Sequence, residues 1–222
     1  MSAPNRALVV IDVQNEYFDG PLEIQYPPRD KSLVNIVQAI DAAEQAGIPV
    51  VIVQHELPEG APIFATGSIG WALHPDIEAK VKPEFKRISK QYASVFDGTD
   101  FAAWVKENNI DTITLTGYMT NNCVLGTAEG AEPHGVQAEV LSDATGAIHV
   151  TNDAGEVSAK QVHETIMTIL NSNFAAVTTT EAWASAVKDG VEPPMSNLVE
   201  SALQGQESQN YPQPNNSDGT PS

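Results

Sequence analysis

Apolar residues fall in short blocks along this chain, and the blocks follow two different periods. Residues 7–13, ALVVIDV, form a β-branched run closed by polar residues, the pattern of a strand buried on both faces. IPVVIVQ at 48–54, DTITLTG at 111–117 and VQAEVLSD at 136–143 repeat that pattern, and FKRIS at 85–89 predicts a shorter strand. Between these runs the period becomes helical. In KSLVNIVQAIDAAEQAG, residues Leu33, Ile36, Val37 and Ile40 share one face, with Asp30 as the expected N-cap and Gly47 as the stop. Helices are also predicted over 99–109, capped by Thr99, over a segment beginning near Asn121, and over 153–172. FAAVTTTEAWASAV, residues 174–187, closes the series as a strand and a short helix.

Strands alternating with helices at this spacing imply an α/β, doubly wound, mainly parallel sheet with helices on both faces. Two stretches interrupt the alternation: a Gly- and Pro-containing loop at 19–30, and a long mixed segment at 55–82 that reads as a functional loop with a short helix near HPDIEAKV. One domain is expected over residues 1–188. The remaining stretch, 189–222, is acidic, polar and rich in Pro, Asn and Gln, and is expected to be disordered because it has little to bury.

Charge narrows the range of partners. The formal charge is −18. Residues 189–222 hold five acids and no Lys or Arg, so the body of the chain is acidic as well. Such a field repels nucleic acid and anionic membrane, and neither is expected as a partner. No apolar stretch approaches the roughly 20 residues of a membrane span. The N-terminus runs directly into the first apolar block without a charged leader. The single cysteine cannot form an internal disulfide. Together these features fit a cytoplasmic protein.

In open parallel sheets ligands bind beyond the carboxyl ends of the strands, and three chemistry-bearing residues fall near such ends. Asp12 ends the first block, Lys90 follows FKRIS, and Cys123 lies just past TITLTG where a helix is starting. Singly, each has an ordinary reading: a loop cap, a solvated surface charge, a small buried hydrophobe. Jointly they are complementary. A helix N-terminus favours thiolate over thiol, a carboxylate can accept the thiol proton, and a lysine can hold that carboxylate ionised.

Those same residues carry a resemblance. LVVIDVQNEYF, GIPVVIVQH, LHPDI, SKQYASVFDGTDF, ITLTGYMTNNCVLGTAEGA and VLSDA, in this order over about residues 6–187, resemble the isochorismatase-like cysteine hydrolase superfamily. That superfamily includes nicotinamidases, N-carbamoylsarcosine amidases and ureidoacrylate or biuret hydrolases. The resemblance implies a parallel sheet of about six strands, a triad at Asp12, Lys90 and Cys123, and a cis peptide between Tyr118 and Met119. It also implies an oxyanion hole from the Met119 and Cys123 N–H groups, and a homodimer or homotetramer.

Departures from the family pattern bear on specificity. Where nicotinamidases carry a metal-binding stretch, this chain reads VIVQHELPEG, with His55 near the aspartate position and Leu57 at the first histidine position. Leucine cannot ligate a metal, so no metal and no cofactor are expected, and His55 and His74 are expected to make ordinary hydrogen bonds. Asn15, Tyr17, Phe64 and Trp71 are candidate pocket walls. Retention of Cys123 points to attack on the carbonyl of a small amide, ureide or imide. Vinyl-ether hydrolysis and a catalytically silent binding role are the alternatives.

Overall fold

The computed structural model describes residues 3–208. Six strands form one parallel sheet in the order β3-β2-β1-β4-β5-β8. They are β1 (Arg6–Ile11), β2 (Val50–His55), β3 (Lys86–Lys90), β4 (Thr112–Tyr118), β5 (Gln137–Gly146) and β8 (Ala176–Thr178). A separate antiparallel hairpin joins β6 (Val150–Asn152) to β7 (Gly155–Val157). The main helices are α1 (Arg29–Ala46), α2 (Pro75–Glu78), α3 (Phe101–Glu107), α4 (Leu125–Ala131), α5 (Ala159–Asn173), α6 (Thr180–Asp189) and α7 (Leu198–Ser208).

The central strands are covered on both faces and mostly apolar, and the few polar side chains they bury, Arg6, Thr112, Thr114, Thr116 and Glu139 among them, lie within the same closed layers. Every residue of β1 and of β4 is buried. Successive side chains alternate between two cores: Ala7, Val9 and Ile11 enter one, Leu8 and Val10 the other. The chain winds outward from β1 through β2 to β3, then returns to β4 on the other side of β1. That reversal opens a crevice between the carboxyl ends of β1 and β4, where this fold binds its ligands.

At this point a side chain on β4 would run into the main chain of β1. Gly117 has φ +99°, and a Cβ there would stand 2.0 Å from the Ile11 carbonyl oxygen. Only glycine fits. At the opposite, amino-terminal end of the sheet a buried ion pair, Arg6 with Glu139, holds β1 and β5.

Several local readings differ from the sequence expectation. Helix α1 begins at Arg29 after Pro28, so Asp30 sits inside the first turn rather than capping it. Gly47 does end α1, in the left-handed conformation, and the Thr99 hydroxyl does accept the Phe101 N–H. The expected helix over 153–172 is preceded by the β6–β7 hairpin and starts at Ala159. There Ser158 and Gln161 exchange capping bonds. Within the tail expected to be disordered, Leu198–Ser208 form α7; residues 209–222 lie outside the described residues. Among those described, no helix is long and apolar enough to cross a membrane.

Candidate active site

Each side chain of the site is delivered by a strand end. Asp12 directly follows β1 and holds a left-handed backbone, φ 50°, with its N–H bonded to the Val53 carbonyl. Lys90 is the last residue of β3 and pairs in register with His55, the last residue of β2. After β4 the Tyr118–Met119 bond is cis. The chain then makes a wide π-type turn, Thr120–Val124, that presents Cys123 before α4 starts at Leu125.

These three strand ends converge on the Lys90 ammonium. Its Nζ lies 2.7 Å from Asp12 Oδ2, 3.1 Å from Cys123 Sγ, 3.1 Å from His55 Nδ1 and 3.2 Å from the Tyr92 carbonyl oxygen. Asp12, Lys90 and Cys123 are all almost completely buried. The Lys90 ammonium stands at charge-assisted hydrogen-bonding distance from Asp12. No other donor among the described residues reaches either Asp12 oxygen with good geometry, so the carboxylate keeps acceptor capacity.

Electrostatics decide the resting protonation. Burial pushes the Cys123 thiol up to about 12, with the Asp12 charge acting the same way and Lys90 opposing. This corrects the expectation of a thiolate stabilised by a helix N-terminus. The sulfur sits within a turn, away from solvent, and a negative carboxylate is its neighbour. The resting centre is therefore a thiol awaiting a base. Burial alone would lower Lys90, but the Asp12 charge and the bonds the ammonium makes to Asp12 and Cys123 outweigh it and hold the ammonium above its ordinary 10.5. His55 is lowered, by burial first and the Lys90 charge second. A neutral imidazole accepting from the ammonium satisfies both.

The Asp12, His55 and Cys123 donor atoms all lie within 4.8 Å of one another, a grouping that could hold a metal ion. In this structure the Lys90 ammonium already stands among them, and a divalent ion would have to displace it.

Other candidates divide. Tyr17 is buried, lies against Phe64 and Tyr118 at ring distances of 5.4 and 5.5 Å, and is raised chiefly by burial. Phe64, at φ 49°, packs on both Tyr17 and His55. These three rings form one wall beside the centre. Asn15 instead bonds the Ile69 and Ala72 carbonyls. Trp71 is tied in through its carbonyl, which accepts from Gln14 and Gln54. His74 caps α2 by accepting the Asp76 N–H, and stacks on Phe18. It takes the ordinary role expected of it, whereas His55 belongs to the cluster because β2 pairs with β3 and sets it beside Lys90.

A parallel α/β sheet whose crevice gathers an acid, an ammonium and a thiol defines a class of proteins with a buried cysteine centre. The isochorismatase domain family matches residues 6–182, and the chain belongs to that family of hydrolases. It is 30% identical over 185 residues to the isochorismatase family protein YddQ of Bacillus subtilis, itself uncharacterised, spanning 80% of this chain and 97% of that protein. A crystal structure of an isochorismatase homologue from Burkholderia xenovorans LB400 superposes with a TM-score of 0.91 at 44% identity, covering 94% of this chain and all of that one. A nicotinamidase of Acinetobacter baylyi is 25% identical over 186 residues, covering 66% of this chain and 83% of that protein.

Proposed function

We propose that the chain hydrolyses a C–N bond of a small amide, ureide or imide through a thioester on Cys123. The observation that carries this reading is the ammonium bridge. One buried ammonium stands 3.1 Å from a thiol sulfur and 2.7 Å from a carboxylate oxygen.

In this reading Asp12 takes the Cys123 proton as the sulfur adds to the carbonyl carbon. A thiol at about 12 needs such a base at neutral pH. The Met119 and Cys123 N–H groups hold the oxyanion. Met119, just past β4, donates to no acceptor among the described residues. Collapse of the adduct breaks the C–N bond, and the proton on Asp12 leaves with the amine or ammonia. Water then gives a proton to Asp12 and adds to the thioester. Collapse returns the acid product and the thiol. Lys90 stays charged throughout and orients both partners. Vinyl-ether cleavage makes no use of a sulfur nucleophile, so the Cys123–Lys90 contact favours the carbonyl reaction.

A screen of small amides and ureides for ammonia release, paired with intact-protein mass spectrometry, tests the reading. The wild-type chain should release ammonia and carry a transient adduct on Cys123, and Cys123→Ala should do neither. Normal turnover by Cys123→Ala excludes the thioester route.

A further inference from the structure

Behind the nucleophile turn lies a second buried polar cluster. The Thr120 hydroxyl, at the first residue of the turn, contacts the Thr145 hydroxyl of β5 and stands 2.9 Å from Nδ1 of His163 on α5. All three side chains are buried. The imidazole meets the Tyr26 ring edge-on at 5.6 Å. In the tautomer with its proton on Nε2, Nδ1 accepts from the Thr120 hydroxyl. The chain of bonds then runs from Thr145 to Thr120 to His163, linking a strand, the turn and a helix.

The turn needs such an anchor. Its own backbone bonds run from Asn122 and Val124 to the Met119 carbonyl and from Leu125 to the Thr120 and Asn122 carbonyls, all within the turn and the start of α4. The Thr127 hydroxyl adds a bond to the Cys123 carbonyl, tying the turn forward to α4. Nothing in that set sets the angle between the turn and the sheet. Thr120 is the one side chain of the turn that bonds outward to both β5 and α5. A sulfur held 3.1 Å from Lys90 reacts only while that angle is kept, since a misplacement of about 1 Å can lower a rate about a hundredfold.

We infer that His163 is a positioning residue: through Thr120 it fixes the turn that aims Cys123 at the substrate carbonyl, without touching substrate itself. The inference rests on the proposed role of Cys123 as nucleophile.

The test is the p-nitrophenolate burst from p-nitrophenyl acetate, an acyl donor that reports attack by Cys123 on a carbonyl, measured on the full chain. His163→Leu removes the acceptor and should slow the burst about tenfold or more at an unchanged half-saturating concentration. His163→Asn places an amide oxygen near the former Nδ1 and should recover the rate to within about threefold. Thr120→Val keeps the shape and loses the hydroxyl, so it should match His163→Leu. The double variant should be no slower than the slower single, the sign of one shared interaction.

A wild-type burst rate in His163→Leu, an Asn variant as slow as Leu, or additive losses in the double variant each overturn the inference. If circular dichroism shows His163→Leu unfolded, Thr120→Val decides alone. A wild-type chain with no Cys123-dependent burst instead overturns the thioester reading and takes this inference with it. A normal wild-type burst with unaffected variants removes only the role of His163.

Discussion

Two buried ion pairs sit at opposite ends of the same sheet, and they are built differently. At the amino ends, Arg6 Nε reaches both Glu139 oxygens at 3.1 and 3.0 Å, and Nη2 reaches Oε1 at 2.8 Å. The Thr114 hydroxyl and the Trp183 indole N–H also donate to Glu139, at 2.7 and 2.9 Å, and Arg6 donates onward to the Val191 carbonyl at 2.6 Å. At the carboxyl ends, Asp12 is equally buried, yet the Lys90 ammonium at 2.7 Å is its one close donor, and no other described residue bonds its oxygens with good geometry. A fully bonded buried pair holds elements together. A buried carboxylate left with free lone pairs holds capacity for a proton. Burial is the same, and satisfaction separates structure from chemistry.

The largest expected effect breaks the chemical pair. Asp12→Asn should slow Cys123 acylation by about 10²- to 10⁴-fold, the usual reach of a general base. The variant should stay folded, because burial alone lowers Lys90 once the Asp12 charge is gone, and Lys90 can shed its proton. Full acylation in that variant removes Asp12 from the mechanism. Breaking the other pair should do the reverse. Glu139→Gln leaves Arg6 uncompensated and should lower the unfolding free energy by about 3–5 kcal/mol, read from the urea midpoint, while the acylation rate of the folded fraction is kept. A Glu139→Gln chain as stable as wild type contradicts the structural role assigned to that pair.

The smallest effect sharpens the comparison by pH. His55 and His163, both at the carboxyl end, are lowered from their ordinary 6.5, chiefly by burial. As pH falls, the unfolded chain takes up these protons first. The contribution is therefore present above about 6.5 and is lost as pH falls toward the folded values. The melting temperature should drop between pH 7 and 5. Hydrogen exchange should rise in Thr120–Val124 and α5 before it rises around Arg6. Uniform exchange across both ends would contradict that localisation.

Much of the fold was legible because parallel strands buried on both faces read as near-continuous runs of β-branched and apolar residues. ALVVIDV, IPVVIVQ, DTITLTG and VQAEVLSD carry that pattern, with Thr112, Thr114, Thr116 and Glu139 among its polar exceptions. The β6–β7 hairpin was not legible. Four of its six strand residues are exposed and none is buried, so they carry no alternation. Helix α7 was missed because none of its residues is buried, leaving a composition that resembles a solvated tail. Asp12, Lys90 and Cys123 could be read from strand ends together with the family likeness. The His55–Lys90 contact depends on the pairing of β2 with β3, and the Thr120–Thr145–His163 cluster on where α5 docks. Both are relations through space that no local pattern encodes.

The missing side chain at Gly117 acts as a gauge. With the Ile11 carbonyl filling the place a methyl group would occupy, the separation between the strands that carry Asp12 and Cys123 is set by main chain against main chain. Side-chain repacking elsewhere in the two cores can vary without altering that gap, so the tolerance of the centre is decoupled from the plasticity of the interior.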